Sequence, residues 1–561
     1  MSYNRRLWSV YAMLLLIALG FRLFVARRLA NDEPDDGRVY AQIATNVLEQ
    51  HVYSHDNQPP YSPSLIRLPG YPLFLAAVYK IFGHGNNTAV RVIQAGIDTL
   101  TCVLMALVAF EWTVDDERKH RAATIAFALA AVCPFTAIYV ATVLTEVLTN
   151  FLAVAMVLAV TFAFKATDYT EKTGRKNVVR KRAFAWWIVS GLIAGLAVLF
   201  RPDSGLFAAV VGGTLVLSVL FKRRAKEFFV SACVFSLAFC VVLVPWTIRN
   251  YRVFHLFQPL APAHAEMPGE FVPRGYLLWV RTWLDDSRYV GPALWSVDMK
   301  PIHVSDFPDS AFDSDEERDR VAALLDKYNN LPSENLSSSP SPEPDASDEA
   351  EEEDEQSGEE DNDTEQQSEP EETDVEMTPE IDAGFAQIGQ ERRAHHPFRY
   401  YIVLPLKRAK ALWFDTHSEY YPFNGELLPL ADLDHDIHQQ FWLPLFAALT
   451  GIYSLLGVIG GALLLRSRDV HARRWVLLAA LVIFLRLGFF STLENPEPRY
   501  TVELFPFLII LAGAGLALIA RQRRGGGVGD GDAVGGGDVG VGVRSDGGML
   551  AGFGVSGDEC K

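Results

Sequence analysis

The sequence predicts an all-α polytopic membrane protein of about ten transmembrane helices, within a range of nine to thirteen, and three observations carry that prediction. Half of the residues are hydrophobic, and they gather in blocks of membrane-spanning length rather than in the short periodic patterns of a soluble core. Basic clusters recur between alternate blocks, as they do at the cytoplasmic ends of spans. The formal charge of −18 is concentrated in one place, because residues 334–382 hold 22 Asp and Glu and no Lys or Arg, which leaves the rest of the chain with a small positive excess. An ordinary soluble enzyme is excluded by this pattern.

Taken in order, the apolar blocks lie near 8–25, 88–110, 122–140, 146–165, 184–200, 204–221, 227–247, 441–465, 475–492 and 503–520. The first follows Arg5 and Arg6 like a signal peptide, but no small-residue cleavage site follows it, so a retained anchor is expected. Tyr71 to Phe82 is apolar but short, which suits an interfacial helix. With ten spans, all six basic clusters (Arg5 and Arg6, Arg118 to Arg121, Lys172 to Arg182, Lys222 to Lys226, Arg466 to Arg474, Arg521 to Arg524) fall on one side, which is then cytoplasmic.

The resulting organisation is an N-terminal membrane domain (1–248) whose first outer loop (26–87) carries the candidate site, then an extracytoplasmic segment (249–440), C-terminal helices (441–520) and a Gly-rich, disordered cytoplasmic tail (521–561). Within the outer segment, residues 333–382 are too acidic and too poor in apolar side chains to fold and form a disordered insertion. Trp279 and Trp283, one helical turn apart, suit either the membrane interface or packing against a neighbouring loop. Of five cysteines, four lie in apolar blocks and read as small buried residues, with no metal or disulfide spacing.

Ionisable residues at membrane depth or at the outer ends of spans are costly unless paired or used, which singles out Asp36, Glu146, Arg201, Arg249, Arg486, Glu497 and Arg499. Asp36 opens a short helix before Tyr40; it is either a helix cap or a carboxylate aimed into a cavity, and Asp32, Glu33 and Asp35 beside it would raise its pKa. Glu146 opens the fourth span as a capping partner or a buried acceptor. Arg201 and Arg249 end spans, where a guanidinium either grips a phosphate or snorkels to headgroups, and the Glu497–Arg499 turn could be a self-contained pair. His435 and His438 lack further ligands for a metal site, and phosphate-cradling glycine motifs, dinucleotide fingerprints and nucleophile elbows are absent.

In order, D-x-x-x-Y-x-x-I-A from Asp36, R-x-P-G-Y-P-L-F-L-A from Arg67, T-E at Glu146, R-P at Arg201, P-W-T-I-R-N-Y ending at Tyr251, H-P-x-x-Y at His396 and E-P-R-Y at Glu497 resemble the GT-C type membrane glycosyltransferases. That superfamily includes the protein O-mannosyltransferases and the lipid A aminoarabinose transferases. The resemblance spans about residues 8–520 apart from the acidic insertion, which is not a recognisable family feature.

It implies an enzyme, a hexosyl- or pentosyltransferase, that moves a sugar from a polyprenyl-phosphate donor to an extracytoplasmic acceptor (protein, lipid or polysaccharide) by inverting displacement. The alternative is a transporter or flippase of lipid-linked sugars. By the resemblance Asp36 is the general base, with Asp32 and Glu33 as alternates and Glu146 beside them. Arg249, Arg201, Arg499, Lys407 and Arg408 are the donor phosphate-binding candidates, and Tyr40, Arg67, Tyr71, Glu497 and Tyr500 line the cavity. No particular cofactor is implied, and a divalent metal is left open. The expected partners are the lipid-linked donor, membrane lipids and the acceptor, without nucleic acid, and the expected location is a bacterial inner or plasma membrane with the site facing outward.

Overall fold

The apolar blocks form helices in the computed structural model, which describes residues 2–29, 35–173, 176–221, 225–262, 264, 266–330, 375–415, 427, 437–467 and 469–519. Helix α1 (Ser2–Arg28) is followed by two short helices in the first loop, α2 (Asp35–Glu49) and α3 (Gly70–Phe82). The bundle continues with α4 (Asn87–Trp112), α5 (Asp116–Ala131), α6 (Pro134–Ala137), α7 (Glu146–Thr173), α8 (Lys176–Phe200), α9 (Gly205–Phe221) and α10 (Ala225–Phe254). Three helices of the long segment, α11 (Arg274–Arg281), α12 (Asp315–Asn329) and α13 (Pro379–His395), precede α14 (Leu404–Phe414). The chain re-enters the bundle as α15 (Ile437–Arg466), α16 (Val470–Ser491) and α17 (Phe505–Leu516).

Among the described residues, eight helices are long and apolar enough to cross a membrane, or nine if one bent pair counts as a single span. The chain is an integral membrane protein. Two of the ten expected blocks differ from plain spans, each for a local reason. The block 122–140 is broken by 54° between α5 and α6, where Pro134 has no N–H to give the ladder and forces Cys133 out of helical geometry. The block 204–221 is α9, which is short because Pro202 and the basic run beginning at Lys222 bound it.

Burial separates the centre of the bundle from its rim. The apolar windows of α7 and α17 are 78% and 83% buried, whereas those of α1 and α10 are 28% and 22% buried. Central helices therefore touch protein all round, while Leu16, Leu237 and similar side chains on the rim stay exposed, as they do where a bundle faces lipid. Backbones approach closely inside the bundle: a Cβ on Gly460 of α15 would lie 2.2 Å from the Leu511 carbonyl of α17, so nothing larger fits there.

The segment between α10 and α14 has its own core around Tyr276, Trp279, Trp283 and Phe385. Both tryptophans are buried, so of the two readings it is packing that holds. Described structure resumes at Val375 and Met377, both buried in this core, inside the interval expected to be disordered; residues 333–374 of that interval, and the tail from residue 520, lie outside the described residues. Cys102 and Cys133 are buried as expected, but Cys233 and Cys240 are exposed because α10 runs along the rim.

Candidate active site

The site begins with a tight approach of two chain segments. Gly70 starts α3 against the end of α8, where a Cβ would sit 2.6 Å from the Leu199 carbonyl; only glycine lets the R-L-P-G-Y stretch lie beside Arg201. Tyr71 then donates to Gln94 Oε1 of α4 at 2.8 Å, and Gln94 Nε2 donates to the Thr142 carbonyl at 2.7 Å. These bonds fix the turn that leads into Glu146, so the loop helices and the start of α7 are one assembly.

Asp36 lies in the first turn of α2, and its carboxylate joins two distant arginines. Arg67 Nη2 donates to Oδ1 at 2.8 Å and Arg499 Nη2 to Oδ2 at 3.2 Å. Asp36, Arg67 and Arg499 are 31%, 23% and 21% exposed, so solvent reaches all three. Burial by itself would raise the Asp36 carboxyl, but the charges of Arg499 and then Arg67 outweigh it and hold the group below the ordinary carboxylate range. Asp32 and Glu33, and the side chain of Asp35, the expected sources of an upward push, lie outside the described residues. Tyr40, one helical turn on, is driven up to about 12 by burial and next by the Asp36 charge, which keeps its hydroxyl neutral. Its ring lies edge-on to Tyr71 at 5.2 Å and under the Arg67 guanidinium at 5.9 Å.

A second group of charges adjoins the first. Arg201 Nη1 donates to Glu146 Oε1 at 2.9 Å and its Nε to Asp203 Oδ1 at 3.1 Å. Glu146 is almost fully buried and its Oε2 has no hydrogen-bond partner among the described residues. The turn Pro498–Leu504 supplies Arg499, which also pairs with Glu497, and Tyr500, whose ring stacks on Phe490 at 4.5 Å. The guanidinium carbons of Arg201 and Arg499 each lie 5.5 Å from the Tyr500 ring centroid. Two cations thus flank one aromatic ring, close to a third cation and an ionised carboxylate.

With this geometry in view, comparison with known proteins shows what the chain is similar to. Residues 9–259 match the family model of the dolichyl-phosphate-mannose-protein mannosyltransferases. The matched stretch runs from α1 past the end of α10 and includes Asp36, Arg67, Glu146 and Arg201. No curated protein sequence matches the chain. Among solved structures, the oligosaccharyltransferase of Archaeoglobus fulgidus tethered to an acceptor peptide is similar at 14% identity and a TM-score of 0.46, over 92% of this chain and 50% of that one. The same archaeal enzyme, AglB, with an inhibitory peptide and a dolichol-phosphate aligns at 14% identity and 0.45, over 91% and 50%. ArnT from Cupriavidus metallidurans bound to undecaprenyl phosphate aligns at 12% identity and 0.35, over 90% of this chain and 78% of that one. The chain spans about half the length of the archaeal enzyme it matches.

The expected residues divide into two sets. Asp36, Tyr40, Arg67, Tyr71, Glu146, Arg201, Glu497, Arg499 and Tyr500 come together through the contacts just described. Arg249 does not join them: it donates to the Ser64 carbonyl at 2.7 Å and lies over Trp246 at 4.9 Å, clasping the first loop to α10. Lys407 pairs with Asp285 at 2.8 Å, and buried Arg408 donates to the carbonyls of Leu284 at 2.7 Å and Arg281 at 2.6 Å, ending α11. Asp32, Glu33 and His435 lie outside the described residues, as does the side chain of His438. Among the described residues, no three His, Cys, Asp or Glu side chains gather as metal ligands.

Sequence reasoning passed over Asp203 and Glu503, although a Glu inside T-V-E-L-F at the head of an apolar block is itself the signal of an intramembrane function or pair. It also passed over Arg22 and Asp98, opposite charges in the first two blocks, which pair at 2.6 Å.

Proposed function

We propose that the chain transfers a sugar from a polyprenyl-phosphate donor to a hydroxyl or other nucleophile of an acceptor outside the cytoplasm, with inversion at the anomeric carbon. The observation that carries this reading is the ionised Asp36 carboxylate held between Arg67 and Arg499, with Arg201 across Tyr500. The matched family model supplies the donor class, and the basic residues Arg5 and Arg6 of α1, Arg118, Lys119 and Arg121 of α5, Arg466 at the end of α15 and Arg473 and Arg474 of α16 lie at the ends of their helices remote from this site, which supports an outward-facing cavity.

The chemistry is a single displacement. The acceptor oxygen attacks the anomeric carbon, its proton passes to Asp36, and the bond from that carbon to the phosphate oxygen breaks. Negative charge grows on the departing polyprenyl phosphate, where Arg499 and Arg201 stabilise it through charge-assisted hydrogen bonds. A carboxylate paired with two guanidiniums is a weak base. The arriving donor phosphate competes for Arg499 and Arg67, and each guanidinium it draws away raises the proton affinity of Asp36, so the base strengthens when the donor is present.

The test is an assay of the purified protein in liposomes against a panel of polyprenyl-phosphate sugars and nucleotide sugars. Covalent transfer from a lipid-linked donor and none from nucleotide sugars is expected. Movement of the lipid-linked sugar across the bilayer without covalent transfer would replace this reading with that of a flippase.

A further inference from the structure

Next to the Asp36 site lies a set of buried charges that the proposed displacement leaves unused. Arg486 of α16 is only 1% exposed. Its Nη2 donates to Asp203 Oδ2 at 2.5 Å and lies against the fully buried Glu503, while its Nε donates to the Tyr500 carbonyl at 2.9 Å. The guanidinium carbon sits 5.3 Å from the Phe207 ring and 4.9 Å from Phe490, the ring on which Tyr500 stacks. Asp203 turns its other oxygen to Arg201 Nε at 3.1 Å.

We propose that Arg486 and Asp203 are positioning residues that act as one clamp, holding Arg201 and the Arg499–Tyr500 turn in register so that both guanidiniums reach the donor phosphate and Arg499 reaches Asp36. The inference rests on the reading of the Asp36 cluster as the transfer site. A bare charge-balancing role would need Arg486 to face the carboxylates of Asp203 and Glu503 and nothing more. Its bond to a main-chain carbonyl in the turn that carries Arg499 is what a balancing charge does not require, and carbonyl bonding fixes direction as well as charge. Asp203 shows the same division, with one oxygen on each of two arginines.

The readout is the protonation of Asp36, because that group reports whether Arg499 is in place. The charged and titratable groups about it are Arg67 from the loop before α3, Arg499 from the turn before α17 and Tyr40 on α2, with Glu497 and Glu146 acting on Arg499. The experiment follows the Asp36 carboxyl by carbon-13 NMR against pH in the full-length protein in nanodiscs, its signal assigned by loss in Asp36→Asn, together with kcat/KM for sugar transfer.

The variant Arg486→Met with Glu503→Gln removes one buried carboxylate along with the arginine, so it does not strand Glu503. The proposal expects it to raise the Asp36 titration by about one pH unit and to lower kcat/KM roughly tenfold, as release of one of two arginines should. An Asp36 titration and acid limb identical to wild type in that variant would overturn it. Should the double variant not fold, Arg486→Lys keeps the charge but cannot hold the carbonyl and Asp203 at once; a raised Asp36 titration supports the clamp and an unchanged one overturns it. The NMR titration needs no turnover, so a wild-type protein that transfers no sugar defeats the functional reading and leaves the clamp to its own result.

Discussion

Two arginine–carboxylate pairs in this bundle look alike in sequence and differ in what surrounds them. Arg22 and Asp98 are both fully buried, and Arg22 spends its remaining donors on the carbonyls of Ala18, Ala130 and Ala131, closing the broken end of α5. Asp36 is partly exposed and shares its two oxygens between Arg67 and Arg499, and Arg499 is in turn shared with Glu497. A pair whose arginine donors end on main-chain carbonyls of neighbouring helices is a clasp, since any movement would strand a charge at membrane depth. A pair with solvent access and divided partners can exchange one partner for a substrate. Saturation and exposure, rather than charge alone, separate structure from site here.

Substitutions that exchange these properties test the distinction. The largest effect is expected at the clasp: Asp98→Ala leaves Arg22 buried and unpaired and should cost about 3–5 kcal/mol, read as a lower melting temperature in detergent, with little change in the activity of the folded fraction. Replacing both partners, Arg22→Met with Asp98→Leu, should restore most of that loss, because the expensive state is the single stranded charge.

At the site the effect moves from stability to chemistry. Arg499→Gln should reduce kcat/KM about tenfold and move the acid limb of its pH profile upward by roughly one unit, with a small change in melting temperature. The sign follows from Asp36: its carboxyl is held low in the folded protein, so activity needing the ionised base persists to acid pH, and loss of Arg499 brings the failure on sooner as pH falls. The smallest effect is expected at Lys407→Ala. Its exposed contact with Asp285 should contribute about 1 kcal/mol or less, and transfer should change less than about threefold, measured by denaturation and by initial rates.

Much of the fold could be read from the chain because a bilayer demands long apolar helices, and Asp36, Glu146, Arg201 and Arg499 stood out for the complementary reason that charge is expensive there. The break at Pro134 was also written in the sequence, as a proline in mid-block. What could not be read was partnership. Arg249, Arg201 and Arg499 have the same local setting, a guanidinium beside an aromatic at the end of a span, yet one clasps a loop and two flank Tyr500. That outcome depends on segments hundreds of residues apart, such as Asp36 with Arg499 and Asp203 with Arg486, and local pattern carries no trace of such contacts. The Trp279 and Trp283 pair was ambiguous for the same reason, since its spacing suits a membrane surface and a helical core equally.

The most direct test of the account is single-turnover transfer from a polyprenyl-phosphate sugar by wild type and Asp36→Asn, reconstituted side by side at equal folded concentration. The account predicts an inverted product from wild type and a rate lower by about 10²–10⁴-fold for Asp36→Asn, with insertion and melting unchanged. Turnover by Asp36→Asn at the wild-type rate would contradict it.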